Sequence, residues 1–522
     1  MHQLLVLCRY LPGICYFRSL SKKKENRFSP IFFVLSSVSA IMIAMNKNKN
    51  QNTFQLPNQK NAVKRTKETV YSSFALEEDA RLLGRGKQYY IKTYGCQANV
   101  RDSETMAGLF EMMGFSEADS LENADIILFN TCAVRRAAEL HVLGEIGSLK
   151  HFKNEHPEKL LGICGCMAQE DAVVDEVLKK YPQVDMIFGT HNLHRLPQLI
   201  IDWYKDRKKI VEVFSEEGKV IEDLPVKRMM DAKGFVNIMY GCNKFCTYCI
   251  VPYTRGKERS RKMEDILAEI RQLQETGRKE VVLLGQNVNA YGKDIHLEDG
   301  FTQLLKNCAE TGIERIRFYT SHPRDYSPST IDIMQQYPNV MKSLHLPVQS
   351  GSDEILRKMA RGYTVDHYKQ LFDEMKAKIP DITFTTDLIV GFPGETDEQF
   401  QKTLDLVRYC RFDLAYSFVY SPRSGTPAAS MKDDIPMDVK KERLHILNDL
   451  LAQIANENNQ KYLHQHLKVL CEGRSKKNKD VYSGYSEENK LVNFRGEEGL
   501  ENRIVDVEIR NIHSFSLDGK AL

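Results

Sequence analysis

Little in these 522 residues announces a partner through bulk composition. Lys and Arg (73) nearly cancel Asp and Glu (70), leaving a net charge of +3. That is too small for whole-surface attraction to a polyanion, so any RNA contact has to come from local patches. There is one Trp, and 42% hydrophobic with 27% charged residues is the balance of a soluble globular chain. The apolar run from Ile31 to Met45, behind Lys22-Lys23-Lys24, mimics a secretory signal but falls short of the about 20 residues of a membrane span. The Asn/Lys/Gln-rich stretch after Met45 reads as a disordered amino terminus. Met45 is therefore expected to be the true start, with residues 1–44 translated from non-coding sequence. The twelve cysteines are spread along the chain rather than crowded into a small module. This argues against a disulfide framework and for metal binding in a reducing compartment. The length predicts two to four domains.

What stands out instead is Cys242-Asn-Lys-Phe-Cys246-Thr-Tyr-Cys249. An iron–sulfur cubane held by protein alone takes four thiolates, and a loop that offers three leaves one iron open to a reactant. The alternative is a zinc knuckle, which needs a fourth Cys or His close by. No cysteine follows until Cys308, and the next histidine is His296. The CxxxCxxC pattern resembles the signature of radical S-adenosylmethionine (SAM) enzymes. The resemblance implies a [4Fe–4S] cluster on Cys242, Cys246 and Cys249, with the open iron chelated by SAM.

Before that loop, the chain repeats a strand–cysteine–helix unit. Tyr89–Tyr94, Ala124–Phe129 and Lys159–Ile163 read as strands, each leading through a cysteine toward a helical stretch such as Arg101–Met113. In an open parallel sheet the carboxyl ends of strands share one edge, where ligands bind. Cys96, Cys132 and either Cys164 or Cys166 are thereby expected to meet; strand alternation puts the last two on one face. TYGCQAN (93–99), NTCAVR (130–135) and GCMAQ (165–169) resemble the cysteine motifs of the methylthiotransferase amino-terminal domain. The resemblance implies an auxiliary [4Fe–4S] cluster on Cys96, Cys132 and Cys166, with Cys164 a bystander.

Residues 206–233 are charged and irregular, fitting a linker with a short hairpin. Strand-like runs then recur at Phe235–Tyr240, Glu280–Leu284, Arg315–Tyr319, Lys342–Leu346, Thr383–Val390 and Asp413–Tyr420, with helical stretches between, such as Lys262–Thr276 and Asp366–Ile379. Alternation of this kind predicts a parallel sheet with right-handed crossovers. Six repeats fall short of the eight-stranded barrel and suggest an open (β/α)6 barrel. Its loops GQNVNAY, HLPVQSGS and GFPGET line the SAM pocket by family resemblance, which implies Gln286, Asn289, Gln349 and Gly391 as cofactor-binding. His322 and His345 read as scaffold hydrogen-bonders, since radical chemistry needs no general base there.

From 461 onward short strands and Gly turns suggest a small antiparallel β-barrel, similar to the TRAM domain, an RNA-binding module. Acidic and basic residues nearly balance there, and a cluster at Arg474, Lys476, Lys477 and Lys479 supplies the local charge. The expected organisation is a disordered or mis-started extension (1–86), a methylthiotransferase amino-terminal domain (87–205), a linker (206–233), a radical SAM core (234–460) and a TRAM-like domain (461–522). The resemblance implies a cytoplasmic, monomeric transferase with two [4Fe–4S] clusters and SAM, fed by an electron donor such as flavodoxin or ferredoxin and without stable membrane association. It would add a methylthio group to carbon 2 of N6-isopentenyladenosine at tRNA position 37. Action on N6-threonylcarbamoyladenosine of tRNA is the nearest alternative, action on a ribosomal protein fits the motifs less well, and a non-catalytic iron–sulfur or zinc RNA-binding protein is the alternative of a different class.

Overall fold

The structure is a computed structural model that describes residues 69–522 except 135 and 214–218. The apolar run 31–45 and the Met45 start lie outside the described residues. The first strand, β1 (Val70–Ser73), runs parallel to β8 (Lys219–Glu222). Structure therefore begins inside the stretch expected to be disordered. Four residues carry no legible period, and this strand exists only through a partner far along the chain.

Six parallel strands form the first sheet: β2 (Gln88–Thr93), β3 (Ser116–Glu117), β4 (Ile126–Thr131), β5 (Leu160–Gly165), β6 (Met186–Phe188) and β7 (Ile210–Glu212), in the order β3-β2-β4-β5-β6-β7. The two innermost, β4 and β5, are buried along their whole length, as strands covered on both faces must be. β6 and β7 are three residues each and gave no sequence signal. Among the described residues of the linker region β7 and β8 form no hairpin, since each pairs elsewhere.

The helix after β2, α1 (Gln97–Met112), buries Met106, Leu109 and Phe110 under the sheet, with Phe110 stacked on Tyr89 at 4.7 Å between ring centroids. Its first half is buried too, although it reads Asn99, Arg101, Asp102, Ser103, Glu104. That polar half faces the second domain.

The second domain is a partial barrel of parallel strands: β9 (Lys233–Asn237), β12 (Glu280–Leu284) and β13 (Arg315–Phe318), then β14 (Ser343–His345), β15 (Thr383–Val390) and β16 (Leu414–Val419). A single bridge, Ile316 to Val340, joins the two halves. Two-residue strands β10 (Met239–Tyr240) and β11 (Arg259–Ser260) pair antiparallel and close the base of the loop that carries the three cysteines. A short helix in that loop, α2 (Val251–Thr254), is followed by α3 (Met263–Glu275), whose Ile266, Ile270 and Leu273 lie on one face at helical spacing.

The carboxyl-terminal strands β17 (His466–Arg474), β18 (Tyr482–Ser486), β19 (Leu491–Arg495), β20 (Ile504–Ile512) and β21 (Leu517–Ala521) close a barrel in the order β17-β18-β19-β21-β20. Four pairings are antiparallel and β19–β21 is parallel. This barrel seats on the amino ends of the central strands, opposite the cysteine loop. Arg315 donates to the carbonyls of Tyr485 (2.9 Å) and Lys468 (2.8 Å), Arg317 to that of Ser486 (2.5 Å), and Thr383 to that of Glu488 (2.8 Å). Lys490 pairs with Asp413 at 2.8 Å.

Arg317 and Glu280 form an ion pair at 2.9 Å with both side chains 3% exposed. Arg317→Ala would strand the Glu280 carboxylate and free the carbonyls that hold the barrel. We expect a loss of about 3–5 kcal/mol, read as a lowered denaturant midpoint.

Candidate active site

Three loops of the first sheet converge at its carboxyl edge. Cys96 caps α1, Cys132 follows β4, and Cys166 opens the turn after β5. The approach leaves no room for a side chain: a Cβ on Gly95 would stand 2.9 Å from Cys132 Cβ, and one on Gly165 2.4 Å from Asn130 Oδ1. Paired amides lock the loops together. Asn99 Nδ2 donates to Asn130 Oδ1 (3.1 Å) and the Thr131 carbonyl (2.9 Å), and Asn130 Nδ2 returns to the Asn99 carbonyl (2.8 Å).

Gly165, at φ +93°, turns the chain so that Cys164 and Cys166 part company. Cys164 points into the core, its Sγ 3.6 Å from both Met106 Sδ and the Phe129 carbonyl. Cys166 faces the other domain, where Arg255 Nε donates to its Sγ at 3.2 Å. The contact with Cys132 holds the Cys96 sulfur well below the ordinary thiol range and pushes Cys132 above it.

The second cysteine set lies on the loop between β10 and β11. Asn243 N–H donates to Glu258 Oε1 (3.1 Å), Thr247 N–H to the Met359 carbonyl (3.0 Å), and the Ala428 N–H to the Thr247 carbonyl (2.8 Å), which fixes the loop from three sides. Arg361 Nη1 donates to Cys246 Sγ at 3.3 Å. Burial, then the Glu258 carboxylate and the other two sulfurs, push Cys242 well up, and burial takes Cys249 up to about 12. Sulfurs in such a place become ligands only against added positive charge, which the irons of a cluster provide. A single zinc ion needs its thiolates within about 2.3 Å of one point. Among the described residues no three His, Cys, Asp or Glu groups are arranged to hold one metal ion.

The two sets are neighbours. Cys249 leads directly into α2 and on to Arg255, and Ile250 and Tyr253 pack with Ala133 and Cys166 in one apolar cluster. Arg423 adds a second tie, donating to Glu139 Oε1 at 2.6 Å and to the Val134 carbonyl.

Around the barrel mouth, four non-glycine residues adopt left-handed backbone: Phe245 (φ 48°), Thr320 (70°), Gln349 (73°) and Ala360 (56°). Such conformations cost of order 1–3 kcal/mol each and gather at ligand sites. Polar atoms are also left without partners there: Gln286 Oε1, Asn289 Nδ2, Ser321 Oγ and His322 Nε2 are all buried. Unmet buried donors and acceptors are costly, and these four suit a polar ligand such as SAM. Asn289 Oδ1 holds the His322 N–H at 3.3 Å, and His322 Nδ1 accepts from Arg324 N–H. Gln349 exchanges backbone hydrogen bonds with β15. Gly391 differs from the other three: its N–H goes to Glu395 Oε2 (2.7 Å), and a Cβ there would stand 2.5 Å from Lys440 Cγ, so the fold itself accounts for this glycine. His345 is half-buried, with Nδ1 2.9 Å from Thr385 Oγ1 and Nε2 3.6 Å from Asp387.

Arg255, Arg361 and Asp102 escaped the sequence reading. The run Arg255-Gly-Lys-Glu-Arg-Ser-Arg261 looks like solvated charge, yet its charged residues are buried. Its position just after the cysteine loop was the available signal.

Comparison with known proteins matches residues 236–407 to the Radical SAM superfamily and residues 88–189 to the Uncharacterized protein family UPF0004. The tRNA-2-methylthio-N(6)-dimethylallyladenosine synthase of Geobacillus kaustophilus (strain HTA426) is 53% identical over 470 residues, which cover 90% of this chain and 88% of the relative. This chain belongs to that synthase family. The synthase of Bacillus subtilis (strain 168) is 52% identical over 467 residues, 89% of this chain and 92% of its own. A solved structure of the radical SAM methyltransferase TsrM from Kitasatospora setae aligns at a TM-score of 0.47 and 13% identity, covering 66% of this chain and 75% of that one. The radical SAM family implies one [4Fe–4S] cluster and SAM, and the donor set of the central loop fits them. Among the described residues no helix is long and apolar enough to cross a membrane.

Asp325 joins the cysteine loop to the barrel mouth: it pairs with Lys244 in that loop and with Lys293 (2.8 Å), and accepts from Asn287 Nδ2 (2.6 Å). Burial opposes its charge, but the lysines and the hydrogen bonds hold its carboxyl well below the usual range. A depressed folded value gives stability that is full above the unfolded value near 4 and falls as acid titrates the group. Asp325→Asn should cost about 3 kcal/mol at pH 7 in denaturant unfolding, with the difference from the parent shrinking below about pH 4.

Proposed function

We propose that the chain is a radical SAM methylthiotransferase that adds a methylthio group to carbon 2 of N6-isopentenyladenosine at tRNA position 37, next to the anticodon. The observation that carries this reading is the meeting of two separate cysteine trios across one seam, with α2 between them. Cys242, Cys246 and Cys249 would hold the SAM-binding cluster, and Cys96, Cys132 and Cys166 a second [4Fe–4S] cluster. When bound, the clusters and SAM supply radical chemistry at an unactivated ring carbon and the methyl group to be installed there.

The chain's own residues bind, orient and exclude water. Gln286 and Asn289 would hold SAM through polar atoms that the protein leaves unmet, with Gln349 in its left-handed backbone beside them and Gly391 shaping the neighbouring loop. In register with Asp387 and Ile389, Tyr416 and Phe418 lie on the face of β16 away from the packed helices. Both rings are exposed, and they offer an aromatic wall on which an unstacked base and its apolar tail could lie. The closed carboxyl-terminal barrel would grip RNA through the loop at Arg474–Lys479, where Arg474 lies 3.9 Å over the Tyr482 ring. A one-electron donor of the flavodoxin or ferredoxin class and a cytoplasmic setting complete the reading.

Protein purified without oxygen and reconstituted should hold about eight irons, two cubanes' worth. Replacing Cys242, Cys246 and Cys249 by Ala should leave about half of that and abolish SAM cleavage. Replacing Cys96, Cys132 and Cys166 should also halve the iron while sparing SAM cleavage, and Cys164→Ala should leave the iron count unchanged. Loss of all iron on either triple change would break the two-cluster reading.

Nucleoside mass spectrometry tests the substrate. Prenylated tRNA, SAM and reductant should yield the 2-methylthio product. The same tRNA without the prenyl group should react at least about tenfold more slowly, since burial of a five-carbon chain is worth roughly 2–4 kcal/mol. Equal rates, or activity only on threonylcarbamoyl-adenosine tRNA, would reassign the substrate.

A further inference from the structure

Each cysteine trio has one sulfur that meets a buried guanidinium, and the two guanidiniums differ in their surroundings. Arg255 donates from Nε to Cys166 Sγ (3.2 Å) and from Nη2 to Asp102 Oδ2 (2.6 Å). The side chains of Arg255 and Asp102 are 7% and 5% exposed, so this is a closed ion pair beside a ligand sulfur. Arg361 donates from Nη1 to Cys246 Sγ (3.3 Å), and its other donors go to the Pro347 carbonyl (2.8 Å) and Tyr363 Oη (3.0 Å). Among the described residues no carboxylate pairs with Arg361. Cys246 thus meets a guanidinium that no carboxylate pairs with, although the buried Glu258 carboxylate stands near Cys242 in the same loop, whereas Cys166 meets one whose charge a carboxylate in contact with it partly offsets. The potential of an iron–sulfur centre follows net charge and hydrogen bonds to its sulfurs, and both effects are weakly screened at buried sites.

We infer that this asymmetry orders the two centres: Arg361 raises the potential of the cluster on Cys242, Cys246 and Cys249, while Asp102, by partly offsetting Arg255, keeps the cluster on Cys96, Cys132 and Cys166 lower. The external one-electron reductant would then reduce the SAM-binding centre in preference to the second. Arg255, Asp102 and Arg361 are positioning residues in this scheme, because they act through the sulfurs. The inference rests on the two-cluster reading above.

The test is a potentiometric titration followed by electron paramagnetic resonance. Each centre is observed in protein that lacks the other cysteine trio, and iron is counted in every sample. At a fixed applied potential, Arg361→Gln should lower the reduced-to-oxidised ratio of the SAM-side centre at least about tenfold, equivalent to about 59 mV for one electron, and Arg361→Lys should restore it. Asp102→Asn should raise the ratio of the second centre at least about tenfold, and Arg255→Gln should lower it. Ratios within about twofold of the parent in variants that keep their iron would overturn the inference. If an arginine variant loses iron, Asp102→Asn decides the case, since it changes charge without touching a sulfur. Fewer than about eight irons in the parent would instead overturn the two-cluster reading.

Discussion

Charge buried between two domains dictates how this protein is assembled. On the first turns of α1, Arg101 reaches Glu269 at 3.0 Å and Asp102 holds Arg255 at 2.6 Å, while Glu104 meets Arg228 at 3.3 Å. Glu269 also takes Arg228 (2.5 Å) and Arg261 (2.6 Å), and Glu222 takes a further nitrogen of Arg261. Breaking one such pair leaves an uncompensated buried charge, so the seam is stable only when complete. A hydrophobic seam would hold as well or better. What the ionic one adds is direction, because each fork-shaped guanidinium accepts its carboxylate from few angles, and the two cysteine edges are thereby held face to face.

Much of this was legible in the chain, and the reasons are local. β4 and β5 are continuous apolar runs, α3 repeats its aliphatic residues at helical spacing, and the cysteine loop carries its spacing within eight residues. What sequence could not supply came from distance. β1 and β8 stabilise one another across the whole first domain, β6 and β7 are too short to show a period, and β21 closes its barrel by a parallel pairing with β19 that no hairpin signal announces.

The site divides along the same line. Strand alternation left Cys164 and Cys166 equivalent, because it assumes that the strand continues. Gly165 ends that assumption by turning the chain between them. The charges of the 255–261 run look solvated when read alone. They are buried because Arg255 pairs with Asp102 on α1 and Arg261 with Glu222 and Glu269, pairings that no local pattern encodes. The unmet amide and imidazole atoms at the barrel mouth are a property of three dimensions only.

α2 has a consequence for access. One end of this single-turn helix adjoins Cys249 and the other adjoins Arg255, which is bound to Cys166. Parting the domains would have to pull Arg255 from Cys166 at one end of this helix, while Cys249 stands at the other. Opening the seam therefore disturbs the sulfur it holds. A guest that is normally stacked inside its own polymer must supply the deformation itself, turning its base outward at a cost of a few kcal/mol, and discrimination among guests then begins with how readily each one distorts.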